Sequence, residues 1–170
     1  MSAVLVVVSG LPAAGKSSLC ALAARITRTP WLRVDRIEDA VVRSTVLGHP
    51  VGVVGYAVAY ALAAEQLRCG VDVIAECVNP LRVTREAWRQ VAEQERARFV
   101  EVEVVCSDVA EHQRRARSRR VDIDGLRLPS WEAIAGREYD PWDHDHLVID
   151  TATCTPDEGA AQIIRFAWPP

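Results

Sequence analysis

The stretch Gly10-Leu11-Pro12-Ala13-Ala14-Gly15-Lys16-Ser17 carries the most specific chemistry in the chain. Its two glycines, followed at once by a lysine and a hydroxyl residue, have the spacing that holds a polyphosphate. The glycines let the backbone curl until its N–H groups converge on phosphate oxygens. The candidates for that cradle are Gly10 and the amides of Ala13, Ala14, Gly15, Lys16, Ser17 and Ser18. The Lys16 ammonium would reach the β- and γ-phosphates, and the Ser17 hydroxyl would ligate Mg²⁺. Among twenty lysines and arginines, Lys16 is the only lysine. Arginine serves wherever a generic cation suffices; the compact ammonium is kept where a planar fork would not fit between phosphates. A lone lysine that follows glycine also excludes the Asn-Lys-x-Asp signature that reads guanine, so ATP is the expected nucleotide.

Phosphoryl transfer to a hydroxyl needs a carboxylate that orients the nucleophile and accepts its proton. Asp35 is the first choice for that base. It also fits a helix N-cap before Arg36–Ala40, with Glu38 at the box position, and the two roles are compatible. Glu76 is a candidate for the Mg²⁺ shell or for binding the acceptor. Asp150 fits a turn cap as well as a site. Arg114, Arg115, Arg117, Arg119 and Arg120 crowd one short segment. Such guanidiniums suit a lid that closes over ATP and neutralises charge on the moving phosphoryl group. Arg115 and Arg119, four apart, share a helix face. The run Asp143-His144-Asp145-His146 reads as a loop before a strand, because alternate side chains point apart and do not converge on one metal ion. Tyr56, Tyr60, Trp131, Tyr139 and Trp142 are the aromatic candidates for an acceptor pocket.

The elements that must position these groups follow from apolar periodicity. Val4–Val8 is an unbroken apolar run, the pattern of a strand buried on both faces. A helix is predicted from Ser17 to about Thr29-Pro30, a strand over Trp31–Val34, and a helix from Ile37 to about Leu47. An alanine-rich helix spans Val53–Cys69, with Gly70 as its C-cap. Val71–Ala75 is a strand ended by Glu76, and Thr84 caps a helix over Arg85–Arg96. Phe99–Cys106 is a strand whose Glu101 and Glu103 are expected to be partly exposed. Ser107-Asp108 caps the basic helix, Ser130 or Trp131 restarts a helix to about Glu138, and Leu147–Ile149 is the last strand, ending at Asp150. Pro156–Phe166 closes the chain. Strands alternating with helices imply a parallel sheet covered on both faces. In such sheets chemistry collects at the C-terminal strand ends, where Gly10–Ser17, Asp35, Glu76, Ser107-Asp108 and Asp150 fall together.

Composition sets the frame. The 170 residues suffice for a single domain over 1–170 with its own core. Net charge is −3 and the pI about 5.8, which weighs against nucleic acid as a partner. No basic leader or membrane-length apolar run is visible, and the five scattered cysteines lack metal or framework spacing. The expectation is a cytoplasmic protein with reduced thiols, no membrane partner, and a monomeric or homodimeric state.

These residues resemble a family. Gly10–Ser17, Val34-Asp35, the arginines at 114–120 and Leu147-Val148-Ile149-Asp150-Thr151 are similar to the small P-loop kinases of the nucleoside-monophosphate-kinase-like group. That group includes shikimate, gluconate and adenylylsulfate kinases and a chloramphenicol-phosphotransferase-like branch. The resemblance implies a three-layer α/β/α fold with a five-stranded parallel sheet of order 2-3-1-4-5. It also implies a lid over about 115–130 and ATP with Mg²⁺. An acid like Asp35 would activate the acceptor hydroxyl, and lid arginines like Arg115 and Arg119 would bind adenine and phosphates. No acceptor-binding set of those kinases is matched. The Gly48–Tyr60 region has few charged groups, and an anionic acceptor would want an arginine such as Arg36, Arg43 or Arg82. The expected activity is transfer of the ATP γ-phosphate to a hydroxyl of a small molecule. A polynucleotide or tRNA kinase and a nucleotide-binding regulator without an acceptor are the rival readings.

Overall fold

The computed structural model describes residues 2–44, 48, 51–118 and 129–169. Its first β-strand, β1 (Val4–Ser9), is buried at every residue. That is why the run shows no alternation: both of its faces are covered. Val4, Val6 and Val8 pack with Leu19, Ala23 and Ile163 on one side of the sheet. Leu5 and Val7 pack with Ala59, Ala63 and Trp88 on the other. Each such valine, leucine or isoleucine contributes about 1.5–3 kcal/mol through burial.

The remaining elements are α1 (Lys16–Thr27), β2 (Trp31–Arg33), α2 (Val34–Ser44), α3 (Val54–Arg68), β3 (Val73–Glu76) and α4 (Arg82–Gln94). They are followed by β4 (Arg98–Val105), α5 (Val109–Ser118), α6 (Trp131–Ala135), β5 (Leu147–Asp150) and α7 (Pro156–Ala167). The five strands form one all-parallel sheet in the order β2-β3-β1-β4-β5. This is the order implied by the resemblance. Register decides what meets at its rim. Val8 lies opposite Glu76, Glu76 opposite Arg33, and Val105 opposite Asp150.

Several boundaries differ from the sequence reading. Helix α2 begins at Val34, directly after β2, so Asp35 stands in its first turn and not in the cap position before it. Helix α4 begins at Arg82; its cap residue is Leu81, and the Thr84 hydroxyl donates to the Leu81 carbonyl. Cys69 caps α3, and Gly70 follows it with a left-handed φ of 76°. Helix α6 ends at Ala135, three residues short of the predicted Glu138. Glu101 is buried, contrary to its alternating pattern. The loop before β5 and helix α4 cover it: His144 Nε2 of the loop and Arg89 Nη2 of the helix approach Glu101 Oε2 at 2.6 and 2.9 Å. That tertiary cover leaves no trace in local periodicity. The predicted helix end at 45–47 and much of the proposed lid, 119–128, lie outside the described residues.

Candidate functional site

The loop after β1 is held from three sides. Gly10 N donates to Val78 O at 3.1 Å, which ties the loop to the segment after β3. A Cβ at Gly10 would lie 2.2 Å from the Val104 carbonyl oxygen, and its φ of 139° is open only to glycine. Ala13 adopts a left-handed φ of 64°. Pro12 O accepts from the Nε2–H of the buried His112 on α5, at 2.8 Å. Ala14 O accepts from Thr151 Oγ1 at 2.7 Å.

Lys16 is buried, and its Nζ donates to Gly10 O and Leu11 O at 2.8 and 2.9 Å. Its ammonium therefore spans the loop from inside. Gly15 caps α1 without a side chain, and the first turn holds no acid. The positive helix end is left for an incoming anion.

Ser17 Oγ donates to Glu76 Oε1 at 2.6 Å. The other Glu76 oxygen accepts from Trp31 Nε1 at 3.1 Å and lies 3.8 Å from Arg33 Nε. Arg33 also grips Asp35, from Nε to Oδ1 at 3.2 Å and from Nη2 to Oδ2 at 2.9 Å. One buried guanidinium thus sits between two carboxylates and stacks over Trp31, 5.3 Å from the ring centre. Ser17 and Glu76 offer only oxygen atoms. That donor chemistry suits Mg²⁺, which binds through one or two protein oxygens, water and phosphate.

Arg115 is half-buried and anchored at the opposite rim. Its Nε donates to Glu111 Oε1 at 2.7 Å, and its Nη1 and Nη2 donate to Thr151 Oγ1 and O at 2.8 and 3.1 Å. Thr151 closes a small network, since its Oγ1 also lies 3.0 Å from Val105 O. Gly15 must be small here: its Cβ would come within 3.0 Å of Thr151 Cγ2.

Part of this set borders one cavity of about 880 Å³, while Gly10, Ala14, Trp31, Arg33, Glu111 and Thr151 stand behind its lining. Lys16, Ser17, Asp35, Glu76 and Arg115 line it, as do Ala13, Gly15 and Ser18. Tyr56 and Tyr60 line it too; Trp131, Tyr139 and Trp142 do not. Trp131 instead packs edge-on against His112, and Trp142 stacks on His146. Arg36, Arg43 and Arg82 are absent from the lining. Asp150 is turned to local structure: it accepts from the Ser107 amide and hydroxyl and from Ala152 N, which holds its carboxyl below the usual range. Arg119 lies outside the described residues. Burial pushes the Cys77 thiol, also at the cavity, up to about 12.

Four positioning residues escaped the sequence reading, Arg33, Trp31, Asn79 and Arg85, while Thr151 stood there only as part of the motif that carries the resemblance. Asn79 donates from its amide to Tyr56 Oη and from Nδ2 to Ser9 Oγ. Arg85, fully buried, donates to the carbonyls of Asp140 and Pro141 at 3.0 Å and so pins the loops bordering Leu81. Only the pairing of Arg33 and Asp35 two residues apart left a local signal.

The fold is one known from kinases. An adenylylsulfate (APS) kinase from Mycobacterium tuberculosis, solved with AMPPNP and APS, matches with a TM-score of 0.71 and 20% identity, covering 97% of each chain. A gluconokinase from Sinorhizobium meliloti matches with a TM-score of 0.66 and 20% identity over 98% of this chain and 94% of the other. A sugar kinase from a Janibacter species matches with a TM-score of 0.71 and 13% identity over 98% and 96%. The P-loop kinase architecture implied by the sequence is therefore the observed one. No protein-family model and no curated protein matches the chain.

Proposed function

We propose that this protein is an ATP-dependent kinase that transfers the γ-phosphate to a hydroxyl group of a small molecule. One observation carries the reading. A single cavity is lined by the candidate phosphate-binding loop, by the carboxylates of Asp35, Glu38 and Glu76, and by a second, apolar set that includes Val53, Ala57, Leu81 and Val83. A switch that only binds or hydrolyses nucleotide has no need of that second set. The likeness to solved kinases supports the same reaction class.

The proposed roles of the described residues follow from their contacts. The loop amides and Lys16 bind the triphosphate, and Ser17 with Glu76 would hold Mg²⁺, which neutralises phosphate charge when bound. Asp35 orients the acceptor hydroxyl and takes its proton as the oxygen attacks the γ-phosphorus, whose bond to the bridging oxygen breaks to release ADP. Arg33 keeps that carboxylate in place, and Arg115, which lines the cavity, is the cation proposed to meet the donor phosphates. Arg119 is proposed as a second such cation.

The test is incubation with γ-labelled ATP and a pool of hydroxyl metabolites, nucleosides and RNA and DNA oligonucleotides. Label should enter the small-molecule fraction and be lost in Lys16→Ala. Label in the oligonucleotides alone would favour a polynucleotide kinase. Tight ATP binding with no labelled product would favour a nucleotide-binding regulator.

A further inference from the structure

The loop Gly10–Ser17 is gripped from the side of helix α5 at two of its carbonyls. His112, buried on α5, donates from Nε2 to Pro12 O at 2.8 Å. A carbonyl oxygen only accepts, so the imidazole carries a proton on Nε2. Trp131, at the start of α6, braces the ring edge-on with centres 5.2 Å apart. Three residues beyond His112, Arg115 holds Thr151 by its hydroxyl and its carbonyl. That hydroxyl lies 2.7 Å from Ala14 O and donates to it. Lys16 holds the start of the loop from within, at Gly10 O and Leu11 O.

The two outer bonds orient peptide units. A trans peptide is planar, and its C=O and N–H point in opposite directions. The Pro12 carbonyl shares its unit with the Ala13 amide, and the Ala14 carbonyl shares its unit with the Gly15 amide. Turning both carbonyls outward, to His112 and Thr151, turns both amides the other way. Ala13 and Gly15 line the cavity, whereas Ala14 is buried behind it. Among the described residues neither Ala13 N nor Gly15 N donates to a protein acceptor. Both residues have left-handed φ, 64° at Ala13 and 104° at Gly15. Backbone bent in that way gathers successive N–H groups into a concavity for an anion.

Glycine adopts such a φ freely, but alanine does so only when its surroundings impose it. A flip of the Pro12–Ala13 peptide would return Ala13 to negative φ and aim a carbonyl oxygen where its N–H now points. The bond from His112 opposes that flip. We infer that His112 is a positioning residue for the nucleotide's phosphates: its Nε2–H holds the Pro12–Ala13 peptide with the Ala13 amide turned toward them. The role rests on the reading of Gly10–Ser17 as a phosphate-binding loop.

The test follows the amide signals of Ala13 and Gly15 in ¹⁵N-labelled protein titrated with ADP and Mg²⁺. In wild type both amide protons should move downfield as they bond phosphate oxygen. His112→Phe keeps a ring against Trp131 and loses the donor. There the Ala13 shift should vanish while the Gly15 shift persists. ADP affinity should fall about three- to tenfold, the effect of one hydrogen bond, with adenosine affinity unchanged. His112→Gln, whose side-chain N–H can replace Nε2–H, should restore the Ala13 shift. Should His112→Phe fail to fold, His112→Asn, too short to reach Pro12 O, is read in the same way. A full Ala13 shift in the variants without the donor overturns the role. An equal loss of ADP and adenosine affinity also overturns it, leaving His112 to folding alone. So does wild-type protein that binds ADP without shifting Ala13. Wild-type protein that binds no ADP overturns both this role and the phosphate-loop reading. If the shifts follow the predicted pattern while no alcohol is ever phosphorylated, the kinase reaction fails and the role of His112 stands.

Discussion

The Ser17 hydroxyl donates to the Glu76 carboxylate at 2.6 Å, joining the phosphate loop to the strand beside it. Parallel register makes this contact, because Glu76 is paired with Val8, the last residue but one of β1. If the pair holds Mg²⁺, Glu76→Gln should weaken ATP binding about tenfold with Mg²⁺ present and hardly at all in EDTA. Calorimetric titration under both conditions checks this. Equal losses with and without the metal would assign Glu76 to structure alone.

Thr151 joins Ala14, Val105 and Arg115 through one hydroxyl. Thr151→Val keeps the shape and removes those bonds. Unfolding free energy should fall by about 1–2 kcal/mol. ATP affinity should fall with it, since the substitution loosens the loop and removes one of the anchors of Arg115. Denaturant unfolding and nucleotide titration on the same variant measure both.

Two glycines test how backbone strain is distributed. Gly10 and Gly70 both have positive φ, but a Cβ at Gly10 meets a carbonyl oxygen at 2.2 Å while one at Gly70 meets nothing within 4 Å. Gly70→Ala should cost about 1 kcal/mol and Gly10→Ala about 3 kcal/mol or more. Urea midpoints of the two variants, compared with wild type, decide it.

Much of the fold was legible because β1 is a pure apolar run and α2, α4 and α7 carry a clear helical period. The loop was legible because its spacing is local. What was hidden depends on contacts distant in sequence. Arg33 meets Glu76 only through strand pairing, and Glu101 is covered only because the loop carrying His144 and the helix carrying Arg89 meet over it. Asp35 was read at a strand end, but β2 is short and gives way to α2 without a linker. The wall formed by Tyr56 and Leu81 unites an α3 residue with the residue preceding α4. No single window of sequence contains both.

Glu111 is held by the guanidiniums of Arg114 and Arg115, which lower its carboxyl from about 4.5 to about 2. A depressed value in the folded state means that the stabilisation is complete above the unfolded value and disappears as pH falls through the folded one. The contribution is therefore full near neutrality and fades between about 4.5 and about 2. A carbon-detected NMR titration should place the Glu111 midpoint near the lower value, and Arg115→Ala should move it upward.

In the proposed reaction Lys16 and Ser17 set the nucleotide end of the cavity and Asp35 marks the point of transfer. The most direct measurement compares wild type with Asp35→Asn, following both ATP affinity and γ-phosphate transfer to the pooled alcohols. The account predicts ATP affinity within about twofold of wild type and transfer slower by about 10²–10⁴. Transfer that survives Asp35→Asn unchanged, or a wild-type protein that phosphorylates no alcohol, would contradict it.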